Sequence, residues 1–258
     1  EMPASWPLAA LKAQAVASRS YVFWKMERQK SKDYDVKSSI FDQVFKLEDP
    51  NFTSARVETA ILATREQVLF DPKNRIMKSY FHSDCGGHTE SSHEIWVRRD
   101  MVSQGVRDKS CGQRKRSQWV SEWSSQRIME KVAKEYYLPL DLKLKNIFVR
   151  TKLKSQRVKS IDLVFTKGIL KRLSGEDIRR LLGYGKLKST LFEIKKNGNL
   201  WTFHGRGFGH GVGLCQWGAR AMATSGKSYQ AILAHYYSMA SLDAYTNSKK
   251  DLVSFLNQ

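Results

Sequence analysis

Five of the six histidines in this 258-residue chain stand at two places, and each place also carries a cysteine. His82, His88 and His93 surround Cys85, while His204 and His210 lie at the stretch Gly205-Arg-Gly-Phe-Gly-His-Gly-Val-Gly-Leu-Cys-Gln-Trp217. In that stretch glycine occupies every odd position from 205 to 213. Glycine permits φ > 0 and close backbone approach but weakens a strand interior. The alternation therefore predicts a groove floored by backbone, with Arg206, His210, Gln216 and Trp217 supplying the side-chain chemistry. Two nucleotide readings fail on spacing. No start in the run gives the glycines at i, i+2 and i+5 of a dinucleotide fingerprint, and Gly226-Lys227-Ser228 has Ala221 where a phosphate loop needs its first glycine.

At the first cluster, His82, Cys85 and His88 at three-residue spacing, with Cys111 as a distant fourth group, suffice for a closed tetrahedral zinc site. A Cys85–Cys111 disulfide tying down residues 97–117, with the histidines serving the groove, fits the same residues. Spacing leaves both open. Cys215 follows His210 by five residues and could form a nucleophilic pair with it, but it opens a helix packing Ala219, Ala221 and Ala223, which favours burial. Phe208 and Trp217 serve equally as core or, beside the glycines, as stacking surfaces for a sugar.

The elements that must position these groups read as α+β. Residues 5–30 predict a helix capped by Ser5, with Pro7 in the first turn, Leu11, Ala15, Val22 and Met26 on one face, and Lys12 and Arg19 on another. A second helix is predicted from about Thr53 to Arg65. Gln67–Phe70 and Arg75–Phe81 around Asp71–Asn74 predict a hairpin delivering His82–His88 to a loop. Residues 97–117 predict a long basic surface loop. Beyond 124 come a helix (Ile128, Val132, Tyr136), strands around Ile147–Leu153 and Val158–Phe165, and a short helix capped by Ser174 and ended by Gly183. Asn197-Gly198 between Leu191–Ile194 and Leu200–His204 predicts a hairpin running into the glycine stretch. Helices over about Leu214–Thr224 and Tyr229–Tyr237 follow. Residues 118–200 are expected to form an inserted lobe within a domain spanning 1–258.

Lys and Arg number 44 against 25 Asp and Glu, a net charge of +19. Such a chain suits a polyanionic partner. The cations are dispersed over 25–37, 98–116, 143–172 and 179–196 and not gathered on one recognition helix, so anionic wall polymers or membrane surfaces fit as well as nucleic acid, which charge alone supports and which is not expected as a partner. No apolar run reaches the length of a membrane span. Glu1-Met2-Pro3 opens so close to a helix cap that upstream sequence, any export signal included, is expected to be missing from this chain.

Three ordered motifs carry a resemblance. Glu1-Met-Pro-Ala-Ser-Trp-Pro-Leu8 with Leu11-Lys-Ala-Gln-Ala-Val-Ala-Ser-Arg-Ser-Tyr21, then Tyr80-Phe-His-Ser-Asp-Cys-Gly-Gly-His-Thr-Glu90, then Gly205–Gly218, resemble the SpoIID/LytB family of bacterial sporulation and cell-wall proteins. The resemblance extends through Leu173-Ser174-Gly175, Arg179 to Gly183 and His235-Tyr236-Tyr237, covering essentially the whole chain.

It implies a SpoIID-like fold and a peptidoglycan lytic transglycosylase that cuts between N-acetylmuramic acid and N-acetylglucosamine and leaves 1,6-anhydro ends. Such an enzyme needs one acid/base carboxyl where ordinary glycosidases need two. The resemblance places that carboxyl at Glu1 and the substrate contacts at Lys12, His82, Ser83, Arg206, His210, Gln216 and Trp217. It implies a monomer, no cofactor, glycan strands as partner and an extracytoplasmic place, and it favours the Cys85–Cys111 disulfide over zinc on His82, Cys85, His88 and Cys111. Many relatives carry a second glutamate where this chain has Ala9, and a serine where it has Cys215. The alternatives are a hydrolytic muramidase recruiting Asp84 or Glu90, and a non-catalytic wall-binding amidase enhancer.

Overall fold

A computed structural model of the chain describes residues 2–28, 33–39, 42–43, 54–96, 103–112, 117–139 and 141–245; Glu1, the expected acid/base, lies outside them. Among the described residues the α+β reading holds, with helices and mainly antiparallel strands mixed along the chain.

Helix α1 (Leu8–Arg28) begins directly after Pro7, whose missing N–H costs nothing there. Its buried face is Ala10, Ala13, Gln14, Ala17, Ser20 and Tyr21, not the expected stripe of Leu11, Ala15, Val22 and Met26, of which only Leu11 is buried. Small residues on that face let other helices come close, which an argument from hydrophobicity alone undervalues. The Ser20 hydroxyl donates to the Val16 carbonyl at 2.7 Å and accepts from the Leu69 amide at 2.9 Å, binding α1 to strand β1 (Gln67–Phe70). Arg19, expected on a solvated face, donates to the Thr64 and Gln67 carbonyls and so holds the end of α2 (Ala55–Leu62).

The expected hairpin over 67–81 reduces to a single bridge, Phe70 with Ile76. β1 pairs instead with a strand near the end of the described chain, β10 (Ser241–Ala244). The next strand, β2 (Phe81–His82), pairs in parallel with β9 (Leu214–Cys215). Two short helices, α3 (Ser92–Ile95) and α4 (Lys109–Gly112), follow; Ser103, Asp108 and Cys111 are buried, so the described part of the expected surface loop is partly interior.

β3 (Gln118–Ser124) pairs with β8 (Leu200–Arg206), which pairs with β7 (Phe192–Asn197) across the expected Asn197-Gly198 turn. Between them come α5 (Ser125–Tyr136), the meander β4 (Leu144–Lys152), β5 (Val158–Phe165) and β6 (Leu170–Ser174), and α6 (Gly175–Leu182). As expected, α6 starts at Ser174, whose hydroxyl accepts from the Asp177 amide at 3.0 Å in a capping box, and ends at Gly183 with φ +97°. α7 (Gln216–Thr224) and α8 (Tyr229–Tyr236) return to α1. Among the described residues no helix is long and apolar enough to cross a membrane.

One core draws on residues 119–203, including Trp119, Ile161, Ile178, Trp201 and Phe203. A second joins the small face of α1 to Leu69, Met77, Leu214, Ala219, Ile232 and Tyr236. Strand β8 belongs to the first core and leads into the glycine run. Phe203→Ala is therefore expected to cost about 3–5 kcal/mol, read as a fall in the denaturant midpoint at unchanged slope.

Candidate functional site

The glycine run is a joint between several pieces of chain. The Asp84 amide donates to the Phe208 carbonyl and the Phe208 amide to the Asp84 carbonyl, at 2.9 and 2.8 Å; the Leu214 amide donates to the Tyr80 carbonyl. The Gly207 amide bonds the Ser117 carbonyl, the Gly209 amide the Lys188 carbonyl, and the Gly211 carbonyl the Glu90 amide. Trp119 Nε1 donates to the Gly207 carbonyl and His82 Nδ1 to that of Val212, both at 3.0 Å. This backbone is spent inside the protein, so the expected groove floored by open glycine backbone is not what the alternation builds. The glycines admit protein. A Cβ on Gly211, where φ is +82°, would stand 2.3 Å from the buried Arg157 guanidinium, and one on Gly213, at φ +69°, would stand 2.0 Å from the Tyr80 carbonyl oxygen.

The joint forms one wall of an open pocket lined by Ser83, Asp84, Ser117, Gln118, Lys188, Gly207, Phe208 and Trp217. Of the expected contact residues, Ser83 and Trp217 meet there, and the Trp217 amide donates to the Ser83 carbonyl at 3.1 Å. The Trp217 ring lies 4.7 Å from that of Trp6, and the Arg220 guanidinium stands over both, 4.8 and 5.4 Å from their centroids. Met2, the residue after Glu1, packs on the same apolar cluster as Trp6 and Trp217. Phe208 is 48% exposed at the pocket, which fits a stacking surface and not core.

The other expected residues are placed differently. Lys12 stands over the Tyr229 ring of α8, 5.7 Å from its centroid. Gln216 is buried and donates its side-chain amide to Gln14 Oε1, joining α7 to α1. Arg206 is exposed at the end of β8 and is not among the pocket-lining residues. His82 is fully enclosed, and burial, with Arg157 nearby, drives its pKa down to about 3. His210 sits among aromatic rings, 5.0 Å from Trp96, 5.4 Å from His82 and 6.0 Å from Tyr80. Its Nδ1 accepts from the Val212 amide at 3.0 Å, and burial holds it well below the ordinary histidine range. Both imidazoles hydrogen-bond the backbone of the joint, and their surroundings favour the neutral form.

The cysteines also depart from expectation. Cys85, Cys111 and Cys215 are all buried free thiols, so the Cys85–Cys111 disulfide is not formed. Nor do His82 and His88 join them as ligands. His82 Nδ1 is on Val212 and His88 Nδ1 on the Thr89 carbonyl, while the group that meets the thiols is Asp108. The two carboxylates considered for a muramidase are likewise engaged. Asp84 Oδ1 accepts from the Gly86 amide, the Ser117 hydroxyl and the Cys111 thiol at 2.8, 2.9 and 3.0 Å, and burial raises its pKa to about 6. Glu90 accepts from the Ser91 and Ser155 amides and does not line the pocket.

Sequence reasoning missed Ser117, Gln118 and Lys188. They reach the pocket through long-range pairing, which no local signal marks: β3 pairs with β8, and the Gly207 and Gly209 amides donate to the Ser117 and Lys188 carbonyls.

A family model described as Stage II sporulation protein (SpoIID) matches residues 1–70, and a domain of unknown function, DUF8618, matches residues 89–213. An uncharacterized protein of Brachyspira hyodysenteriae is 31% identical over 97% of this chain and 66% of its own length. The amidase enhancer of Bacillus subtilis is 28% identical over 95% of this chain, which spans only 39% of that relative. Stage II sporulation protein D of Bacillus amyloliquefaciens is 30% identical over 92% of this chain and 69% of its own. The chain belongs to the SpoIID/LytB family of stage II sporulation protein D and the amidase enhancer. Its role is accordingly a cell-wall-related one.

Two outcomes follow from the joint. Gly211→Val combines a strained φ with a clash against Arg157 and is expected to destabilise the fold by about 3 kcal/mol or more, seen as a large fall in Tm. His210 is held neutral in the fold, its pKa below the unfolded value of 6.5. Its contribution to stability is present above pH 6.5 and is lost below it, because the unfolded chain then binds a proton that the folded chain refuses, at up to about 1.4 kcal/mol per pH unit. Denaturant titrations between pH 7 and 5 should show His210→Gln flattening that slope.

Proposed function

We propose that this chain binds the glycan strands of peptidoglycan in the pocket beside Trp217 and cleaves them between N-acetylmuramic acid and N-acetylglucosamine as a lytic transglycosylase, with Glu1 as acid/base. The observation that carries the reading is an open polar pocket with aromatic faces whose wall, Trp217, shares a cluster with Met2, the neighbour of Glu1 in the chain. Trp217 and Phe208 offer faces for sugar rings, and Ser83, Ser117 and Gln118 offer hydrogen bonds to hydroxyl and acetamido groups. Lys188, which lines the pocket where Arg206 does not, offers a cation for the lactyl carboxylate of the muramyl unit.

A single carboxyl closes the chemistry. The Glu1 carboxylic acid gives its proton to the glycosidic oxygen as the bond to C1 breaks. The carboxylate then takes the proton of the muramyl 6-hydroxyl as that oxygen bonds C1, which returns the acid and leaves a 1,6-anhydro end. The net charge of +19 suits an anionic wall or membrane surface, and the reading places the protein outside the cytoplasm as a monomer.

The likeness to a relative named amidase enhancer supports a second reading, binding without cleavage. Purified sacculi separate the two: soluble anhydro-muropeptides identify the enzyme, reducing ends a hydrolase, and retention without release a binding module. Under the first reading Glu1→Gln lowers product formation by at least about 10²-fold while pull-down on sacculi is unchanged. Full turnover by this variant would place the acid elsewhere.

A further inference from the structure

We propose that Cys85, Cys111, Cys215 and Asp108 form a binding site for one tetrahedral divalent cation of the zinc type, buried behind the pocket. The three sulfurs and a carboxylate oxygen of Asp108 lie within 4.8 Å of one another, and all four residues are buried. Thiolates about 2.3 Å from a tetrahedral zinc stand about 3.8 Å apart, so the side chains need draw in by at most about 1 Å. Three thiolates select a soft or borderline cation over calcium or magnesium.

The surroundings are those of a ligand set. Cys215 Sγ accepts from the Cys85 and Gly218 amides at 3.2 and 3.4 Å, and Cys85 Sγ accepts from the Gly87 amide at 3.3 Å. Amides aimed at sulfur favour the thiolate. Asp108 is oriented from behind: Oδ1 accepts from the Cys111 amide at 2.9 Å, and Oδ2 from the Tyr236 hydroxyl at 2.6 Å. Binding exchanges the three thiol protons for one cation and releases them to solvent, leaving a complex of charge −2. A counter-charge is already there. Arg157 is completely buried and donates from Nη2 to the Cys85 carbonyl at 2.8 Å, while its Nε and Nη1 have no hydrogen-bond partner among the described residues. A disulfide between any two of the cysteines would leave the third and Asp108 facing it; a cation uses all four.

The site joins three separate segments: the loop after β2, the turn into α4 and the start of α7. At the pocket, Asp84 directly precedes Cys85 and Trp217 follows Cys215 by two residues, so the cation would fix the wall on which a ligand rests. It is a different set from the His82, Cys85, His88 and Cys111 considered on sequence.

The test is metal analysis of untagged protein purified under reducing conditions. About one zinc per chain is expected, and the stripped protein should take up cobalt(II) with thiolate-to-metal charge-transfer and tetrahedral ligand-field bands, releasing three protons. Asp108→Asn and Cys215→Ser should each weaken uptake by at least about 10-fold, whereas His88→Ala should leave one metal per chain. Absence of both native metal and cobalt uptake in the folded wild-type protein would overturn the site, as would a disulfide between any two of the three cysteines or loss of the metal in His88→Ala.

Discussion

A backbone that lacks Cβ atoms at alternate positions can be gripped from both sides, and the segment 205–213 is gripped by residues from several separate segments of the described chain. Tyr80 to Asp84 pair with it along one edge, Glu90 and Lys188 bond its amides and carbonyls, Trp119 lies against Gly205, and the Arg157 guanidinium fills the space beside Gly211. The pocket is the outer surface of that joint. Ser83, Asp84, Ser117, Gln118 and Lys188 reach it because the segments carrying them are each tied to the run or to its neighbours.

The buried charge follows from the same constraint. Arg157, immediately before β5, can lie under the run only because Gly211 leaves room, and its guanidinium meets the Cys85 carbonyl beside three thiols and Asp108. Burial drives His82 and His210 toward their neutral forms, so the joint carries no competing imidazolium. Positive charge at the pocket is left to Lys188, which is exposed and lines it, and Arg220, over the two tryptophan rings.

Local signals were legible where they act locally. Ser174 and Gly183 framed α6, and Asn197-Gly198 framed the β7–β8 hairpin, because capping and turn chemistry need only a few neighbouring residues. The β1–β10 pair was not legible, since its partners are separated by most of the chain and nothing in Ser241–Ala244 names Gln67–Phe70. Of the expected contact residues, Ser83 and Trp217 line the pocket, whereas Gln216 and His210, equally suggestive by type, turn to Gln14 and to an aromatic cluster. The glycine alternation was the clearest signal and was misassigned: a requirement for close approach does not say whether ligand or protein approaches.

The proposed glycan contact places the sugar on the pocket face beside Trp217. Amide NMR of the protein titrated with a soluble peptidoglycan tetrasaccharide addresses this directly. Shifts concentrated at Ser83, Gln118, Lys188, Phe208 and Trp217, with Lys12 and Tyr229 unmoved, are expected from a pocket on the outer face of the joint. Shifts centred on Lys12 and Tyr229, or on His88 and His93, with the pocket residues unmoved, would contradict it.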